Sequence, residues 1–160
     1  MMDTASLISE IQSRPAQTIV CDRILVPIDG SPASMHAVEW AIDLARAADA
    51  ELTILMVIDY DAHISAFEQV SMSGYLPSEL KIAAYRFLAE LMHEIPRSVR
   101  AHTRVEEGDP GEVTVAVVAE EESHLIVMGS RGFGTFERIA FGSVSTYVTH
   151  HAHSPVLLVK

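Results

Sequence analysis

The chain contains little cysteine and no long apolar run, and each shortage excludes a class of protein. Cys21 is the single cysteine among 160 residues, so the chain can form neither an internal disulfide nor a zinc site that needs several cysteines. No apolar run approaches the roughly 18 to 20 residues that a membrane span needs, and the N-terminus lacks the residue order of a secretory signal. We therefore expect a cytoplasmic protein that does not contact membranes.

Positive charge is scarce as well. Eleven Lys and Arg residues stand against 22 Asp and Glu, which gives a net charge of -11. This charge repels nucleic-acid backbones and anionic membranes, so neither is an expected partner. A bound polyanion would have to be held by local backbone donors together with an arginine or a metal ion. The length predicts one domain, residues 21–160, after an N-terminal extension of residues 1–20 that Pro15 interrupts.

What the sequence does have is a regular alternation of apolar runs and helical patterns. Ser31 followed by Pro32 is typical of a helix start, and Asp109 with Glu112 three residues later forms a capping box. Residues 59–77 follow neither periodicity and are predicted to form a long loop. The predicted strands are 23–29, 51–58, 99–106, 124–128 and 155–159, with helices at 31–48, 79–94, 109–121 and 142–151.

This alternation predicts an α/β fold of the Rossmann-like type, with a single five-stranded parallel sheet and helices on both faces. The apolar runs are nearly continuous, as in strands buried on both faces. The third strand differs, because apolar and polar residues alternate along it. It is therefore expected at an edge of the sheet, with one face in water.

A glycine-rich segment connects the fourth strand to the last helix. Gly129, Gly132 and Gly142-Ser143 follow the spacing G-x2-G-x9-G-[S/T]. Glycines allow backbone N–H groups to approach a bulky anion, and a helix start presents further unpaired N–H groups. The same glycines could merely turn the chain. In an open parallel sheet, however, ligands bind beyond the carboxyl ends of the strands, where this segment lies, so its position favours a binding site.

The polar side chains near these strand ends each have two interpretations. Asp29 either helps to cap the next helix or acts at the crevice, where it accepts hydrogen bonds from a ligand or holds a metal ion next to phosphates. Arg131 is either a surface charge or a phosphate contact. Ser143 and Ser145 are either helix caps or hydroxyl donors to phosphate. The histidines 150, 151 and 153 are better explained as basic residues at a helix C-terminus than as metal ligands.

No Ser/His/Asp triad is recognisable in the sequence, and no nucleophile elbow is present. The phosphate-loop lysine of NTPases is also missing. We therefore predict no catalytic residues and no protein-held metal site.

Together these segments resemble the universal stress protein family. The resemblance spans about residues 22–160 and implies an adenine-nucleotide-binding α/β domain with strand order 3-2-1-4-5, usually a homodimer built across the fifth strand. The extension has no counterpart in short family members, and Glu137 places a carboxylate in the nine-residue spacer. The matching segments are Ile24–Ser31, Gly108–Pro110, Leu125–Gly132, Gly142–Ser145 and Pro155–Val159.

The resemblance also implies which residues bind the nucleotide. Those around the adenine and ribose would be Pro27, Ile28, Asp29 and Val57. Those beneath the ribose and phosphates would be Met128, Gly129, Arg131 and Gly132, and those donating to the phosphates would be Gly142, Ser143, Val144 and Ser145. The expected cofactor is ATP, or AMP or ADP, alone or with Mg²⁺ or Mn²⁺.

The function implied is an ATP-binding stress or signalling module with little or no hydrolysis. Two alternatives remain at this point, a nucleotide-free dimerising scaffold and a slow ATP hydrolase. Enzymes of related architecture carry an S-G-G-x-D-S loop or an H-x-G-H helix start, and residues 29–34, Asp-Gly-Ser-Pro-Ala-Ser, match neither.

Overall fold

Strands and helices alternate along the chain, which a computed structural model describes for residues 3, 8, 9, 13, 20–60, 76–132 and 141–160. The five strands pair in parallel in the order β3-β2-β1-β4-β5, as predicted. The elements are β1 (Arg23–Ile28), α1 (Pro32–Ala48), β2 (Glu51–Ile58), α2 (Leu76–Glu94), β3 (Arg100–Glu107), α3 (Pro110–Glu120), β4 (Leu125–Gly129), α4 (Ser143–His151) and β5 (Val156–Val159).

Two helix starts follow directly from local side-chain chemistry. Ser31 is the N-cap of α1 and its hydroxyl accepts from the Ser34 N–H at 3.3 Å. Asp109 is the N-cap of α3 and its carboxylate accepts from the Glu112 N–H at 2.9 Å. Both predictions are confirmed, because in each case a side-chain oxygen satisfies an N–H group that the first helical turn leaves unpaired.

The start of α2 was predicted wrongly. The helix begins at Leu76, three residues before the expected Glu79, and Pro77 lies inside its first turn. Proline is compatible with that position because the N–H it lacks would have had no intrahelical partner. Residues 61–75 of the expected loop lie outside the described residues.

The hydrophobic core consists of two layers, one on each face of the sheet. Alternate residues of β1 point to opposite faces, so Ile24 and Val26 pack with α1 and α2, whereas Leu25 packs with α3 and α4. The central strands are covered on both faces. This explains why their sequences are nearly continuous apolar runs.

The outer strands of the sheet are β3 and β5. Among the described strands, β5 pairs only with β4. The indole of Trp40, on the outer surface of α1, is 50% exposed beside His36 and Asp43. Of the helices that the structure describes, none is both long and apolar enough to cross a membrane.

The winding of the sheet reverses at β1, which pairs with β2 on one side and with β4 on the other. A crevice therefore opens above the carboxyl ends of β1 and β4, because their following connections leave toward opposite faces. Gly30 lies directly after β1 with a φ of 83°. This conformation is unfavourable for other residues and lets the chain turn sharply into α1.

Candidate functional site

A cavity of about 600 Å³ occupies the crevice at the reversal point of the sheet. Its walls come from the ends of β1, β2 and β4, from the starts of α3 and α4, and from one side of α2. The structure brings all the binding residues expected from sequence to these walls. They are Pro27, Ile28, Asp29, Val57, Met128, Gly129, Arg131, Gly132, Gly142, Ser143, Val144 and Ser145.

One end of the cavity is formed by the first turn of α4. Gly142 is the N-cap of this helix, and the bond from Thr146 N–H to Gly142 O, at 3.0 Å, is the first of its helical ladder. The N–H groups of residues 143–145 precede that bond and so have no acceptor within the helix. Gly142 also provides no side-chain cap. These donors and the positive end of the helix dipole suit an anion.

The three motif glycines have different surroundings. A Cβ on Gly129 would stand 2.9 Å from the backbone of Ala33 and Ser34, so this glycine allows the end of β4 to pack against the start of α1. A Cβ on Gly132 would overlap the Asp29 carboxylate, whereas at Gly142 the nearest atom, Arg131 Cα, would be 3.5 Å away. Of these three glycines, only Gly142 therefore has room for a side chain. A Cβ at this position would lie next to the backbone of Arg131 and Gly132.

Asp29 lies both at the start of α1 and on the cavity wall. Its Oδ1 accepts from the Ser31 N–H at 2.9 Å, which helps to fix the start of α1, and its Oδ2 lies against Gly132. The described lining contains one further carboxylate, Asp59, and one guanidinium, Arg131. Arg131 is exposed. It is therefore the cation that the described walls offer to a phosphate.

The two serines of α4 differ in exposure and in partners. Ser143 is exposed at the first helical position, whereas Ser145 is 2% exposed. The Ser145 hydroxyl donates toward Ser130 O and Gly142 O, both at 3.0 Å. Of the two hydroxyls considered as phosphate donors, that of Ser143 belongs to an exposed residue of the cavity lining, and that of Ser145 is engaged with backbone carbonyls.

The apolar wall of the cavity was not foreseen. Side chains of α2 and β2 form it at the end opposite α4, namely Leu80, Ala83, Ala84, Phe87, Met56 and Ile58. Their helical and strand periodicities identified them only as apolar and inward-facing. A residue that borders a cavity and one that fills the core produce the same pattern. Gly30, Ser34, Asp59, Pro110 and Thr114 complete the described lining.

A group of titratable side chains joins α2 to the end of β3 beside this wall. Lys81 Nζ donates to Glu107 Oε1 at 2.8 Å. This hydrogen bond lowers the pKa of Glu107 and raises the pKa of Lys81. Burial, followed by the nearby Glu107 charge, raises the pKa of Tyr60. Both Asp59 and Leu80, which line the cavity, are sequence neighbours of this group.

The histidines near the C-terminus lie outside the cavity lining. His150 Nδ1 and His151 Nδ1 each lie 2.8 Å from the carbonyl oxygen four residues earlier, and the His151 ring stacks on Tyr147. Within residues 20–60, 76–132 and 141–160, no group of three His, Cys, Asp or Glu side chains is arranged to hold a metal ion.

Fold and site together define a doubly wound α/β protein with a cavity at the reversal point of its sheet and, at one end of that cavity, a helix start whose first N–H groups have no acceptor within the helix. The chain belongs to the universal stress protein family, whose model matches residues 21–160. The resemblance seen in the sequence motifs is thereby confirmed.

Two curated relatives illustrate the match. A universal stress protein of Methanocaldococcus jannaschii is 32% identical over 151 residues, which cover 86% of this chain and 81% of the relative. Universal stress protein YxiE of Bacillus subtilis is 31% identical over 150 residues, which cover 87% of this chain and 99% of the relative.

Solved structures share the fold. Universal stress protein UspA from Lactobacillus plantarum is 27% identical with a TM-score of 0.71, covering 88% of this chain and 98% of that one. A universal stress protein in complex with cAMP is 25% identical with a TM-score of 0.64, covering 88% of this chain and 97% of that one.

Proposed function

We propose that this protein binds an adenine nucleotide, with ATP as the first candidate, in the cavity at the reversal point. The observation that carries the proposal is that twelve residues expected from three distant stretches of sequence line one cavity. The phosphates lie at the first turn of α4 and near Arg131, where N–H donors and a cation are available. The base lies toward the apolar wall of α2. A related structure that contains cAMP supports this ligand class.

The nucleotide acts mainly as a signal in this proposal, and turnover is low. Among the described lining residues there is no lysine and no histidine, so the lysine of a phosphate-binding loop is missing there, and the side chains left to act as a general base are the carboxylates of Asp29 and Asp59. The output is a change of shape or of partner binding in a stress-related, cytoplasmic role. Turnover above roughly 1 per second, near the lower end for ordinary enzymes, would contradict it.

A divalent ion is proposed only as a companion of the phosphates. Mg²⁺ and Mn²⁺ prefer oxygen ligands, and the cavity offers the carboxylates of Asp29 and Asp59. Since the described residues contain no cluster of three such ligands, the ion would depend on phosphate oxygens for the rest of its shell.

The protein is also proposed to form a homodimer through β5. This strand pairs only with β4 among the described strands, and Val156, Leu157 and Leu158 are half-buried rather than covered. An apolar strand with a free edge can pair with a second chain. Residues 21–160 form the binding domain in this proposal, and residues 1–20 form a separate extension.

Calorimetric titration of the purified protein with ATP, in the presence and absence of Mg²⁺, tests the nucleotide proposal. We expect saturable binding, and we expect Arg131→Gln to bind ATP about tenfold more weakly, because it removes a charged contact to phosphate. Arg86→Gln is the matched control, since Arg86 is an exposed arginine of α2 outside the described lining. A wild-type protein that shows no saturation at millimolar ATP would refute the proposal.

Mass spectrometry of small molecules released from the purified protein separates this function from the scaffold alternative. A co-purified adenine nucleotide is expected if the cavity binds one tightly. A scaffold that uses the glycine segment only as a turn would release none and would also fail the titration.

A further inference from the structure

The peptide group of Ser130 is a meeting point of three elements. Ser130 N–H donates to Val159 O of β5 at 2.7 Å. Its carbonyl accepts from Gly142 N–H at 2.8 Å and from the Ser145 hydroxyl at 3.0 Å. Ser130 and Ser145 are 3% and 2% exposed. The end of β4 and the first turn of α4 are therefore held together by buried hydrogen bonds.

The Ser145 hydroxyl has one proton, which it directs toward Ser130 O and Gly142 O. That proton cannot also be donated to a ligand phosphate. The hydroxyl instead connects Ser130, near the start of the glycine-rich segment, with Gly142 near its end. Both carbonyls that it contacts belong to the backbone that carries the anion-facing N–H groups.

We propose that Ser145 is a positioning residue for the phosphate end of the cavity rather than a side-chain contact to phosphate. By joining the first turn of α4 to the end of β4, its hydroxyl fixes the direction of the N–H groups of Ser143 and Val144 relative to Gly132. Preorganised donors bind an anion more tightly than donors that must first be ordered. The inference rests on the proposed nucleotide binding.

A positioning role at the phosphate end predicts a different pattern of ligand affinities from a general role in stability. Loss of the hydroxyl disturbs the donors at the phosphate end and leaves the apolar wall on α2 unchanged. Ligands with phosphates should therefore lose affinity in a Ser145 variant, whereas adenosine, which has none, should not. A general loss of stability would instead weaken both ligands alike.

The experiment measures ATP and adenosine binding by calorimetry for wild type, Ser145→Ala and Thr149→Ala, with a thermal melt of each. Thr149 is the matched control, because its hydroxyl also donates to a backbone carbonyl within α4, that of Ser145 at 2.7 Å, but does not reach Ser130. We expect Ser145→Ala to bind ATP about five- to tenfold more weakly with adenosine unchanged, which corresponds to one lost hydrogen bond. Thr149→Ala should retain the wild-type ratio of the two affinities.

Ser145→Cys, which retains the size of the side chain with a weaker donor, is measured alongside and should give a smaller loss in the same direction. Amide hydrogen exchange at Gly142, followed by NMR without a ligand, reports the hydrogen bond from Gly142 N–H to Ser130 O. This exchange should accelerate in Ser145→Ala. An unchanged ratio of ATP to adenosine affinity in both Ser145 variants, or unchanged exchange at Gly142, would overturn the inference while leaving nucleotide binding intact. A wild-type protein that binds neither ligand would overturn both.

Discussion

Gly129, Gly132 and Gly142 belong to one motif, yet a Cβ would meet something different at each. At Gly129 it would meet the backbone of α1, at Gly132 it would overlap a carboxylate, and at Gly142 it would make ordinary contacts. The motif spacing therefore combines a packing requirement at Gly129, a contact with Asp29 at Gly132 and room for a side chain at Gly142. Replacing each glycine by alanine in turn distinguishes the three positions.

Gly129→Ala should destabilise the fold. The new Cβ would lie 2.9 Å from Ala33 C and Ser34 N, and backbone atoms cannot rotate away as a flexible side chain can. We expect a loss of about 1–3 kcal/mol in the free energy of unfolding, measured by urea denaturation. Stability equal to wild type would mean that β4 and α1 can separate at no cost.

Gly142→Ala should leave the fold intact and weaken nucleotide binding. Its Cβ would stand 3.5 Å from Arg131 Cα and 3.7 Å from Gly132 N, so the structure tolerates it, and the φ of -75° suits alanine. The methyl group would nevertheless occupy space between the helix start and the loop. We expect ATP affinity to fall about tenfold, or ~1.4 kcal/mol, by calorimetry, with the melting temperature lowered only slightly because alanine is a poorer N-cap than glycine. Full ATP affinity would show that phosphate does not approach through this gap.

At the scale of the elements, sequence was most informative where a local interaction decides the structure. The starts of α1 and α3 depend on one side chain each, Ser31 and Asp109, and were predicted to the residue. The start of α2 was missed because Pro77 is compatible both with a loop and with a first helical turn.

The cavity wall illustrates the limit of periodicity. Leu80 and Phe87 have the spacing of a buried helix face, and whether such a face meets another side chain or an open space depends on where α2 lies over β2. That placement is a property of the assembled sheet and cannot be read from the spacing. The twelve predicted binding residues could be named before the cavity was known because a family resemblance supplied the tertiary information.

The ion pair between α2 and β3 should make stability depend on pH. The hydrogen bond that Glu107 accepts from Lys81 lowers the pKa of Glu107 below 4.5 in the folded protein. A carboxyl group with a lower pKa when folded stabilises the fold above its unfolded pKa, and that contribution is lost as the pH falls through the folded pKa. Lys81→Met should therefore lower the melting temperature slightly at pH 7, and the difference from wild type should shrink as the pH falls from the unfolded pKa of Glu107 through its lower folded pKa.

Arg86→Met is the control for that series, because Arg86 is another exposed cation of α2. Its melting temperature relative to wild type should not follow the same pH course. A Lys81→Met difference that stays constant while the pH falls until Glu107 is protonated would assign the effect to side-chain packing at position 81 instead of the ion pair.

At the scale of the whole molecule, the sheet leaves β5 as an outer strand. Leu157 lies in the middle of that strand and is half-buried in the single chain. If β5 forms the proposed dimer interface, Leu157→Asp places a carboxylate without a partner in it and should yield monomers. Sedimentation velocity measures the change, and a thermal melt shows whether the fold survives. A folded variant that remains a dimer would show that β5 does not form the interface.

Trp40 determines how this protein can be studied by spectroscopy. It is the single tryptophan, and its half-exposed indole lies on the outer surface of α1, away from the described cavity lining. Its emission should therefore have the red-shifted maximum of an indole in water and should be quenched readily by acrylamide. The fluorescence of Trp40 should stay constant while a ligand fills the cavity. Intrinsic fluorescence would therefore report events at the surface of α1 and would not report contact with the nucleotide.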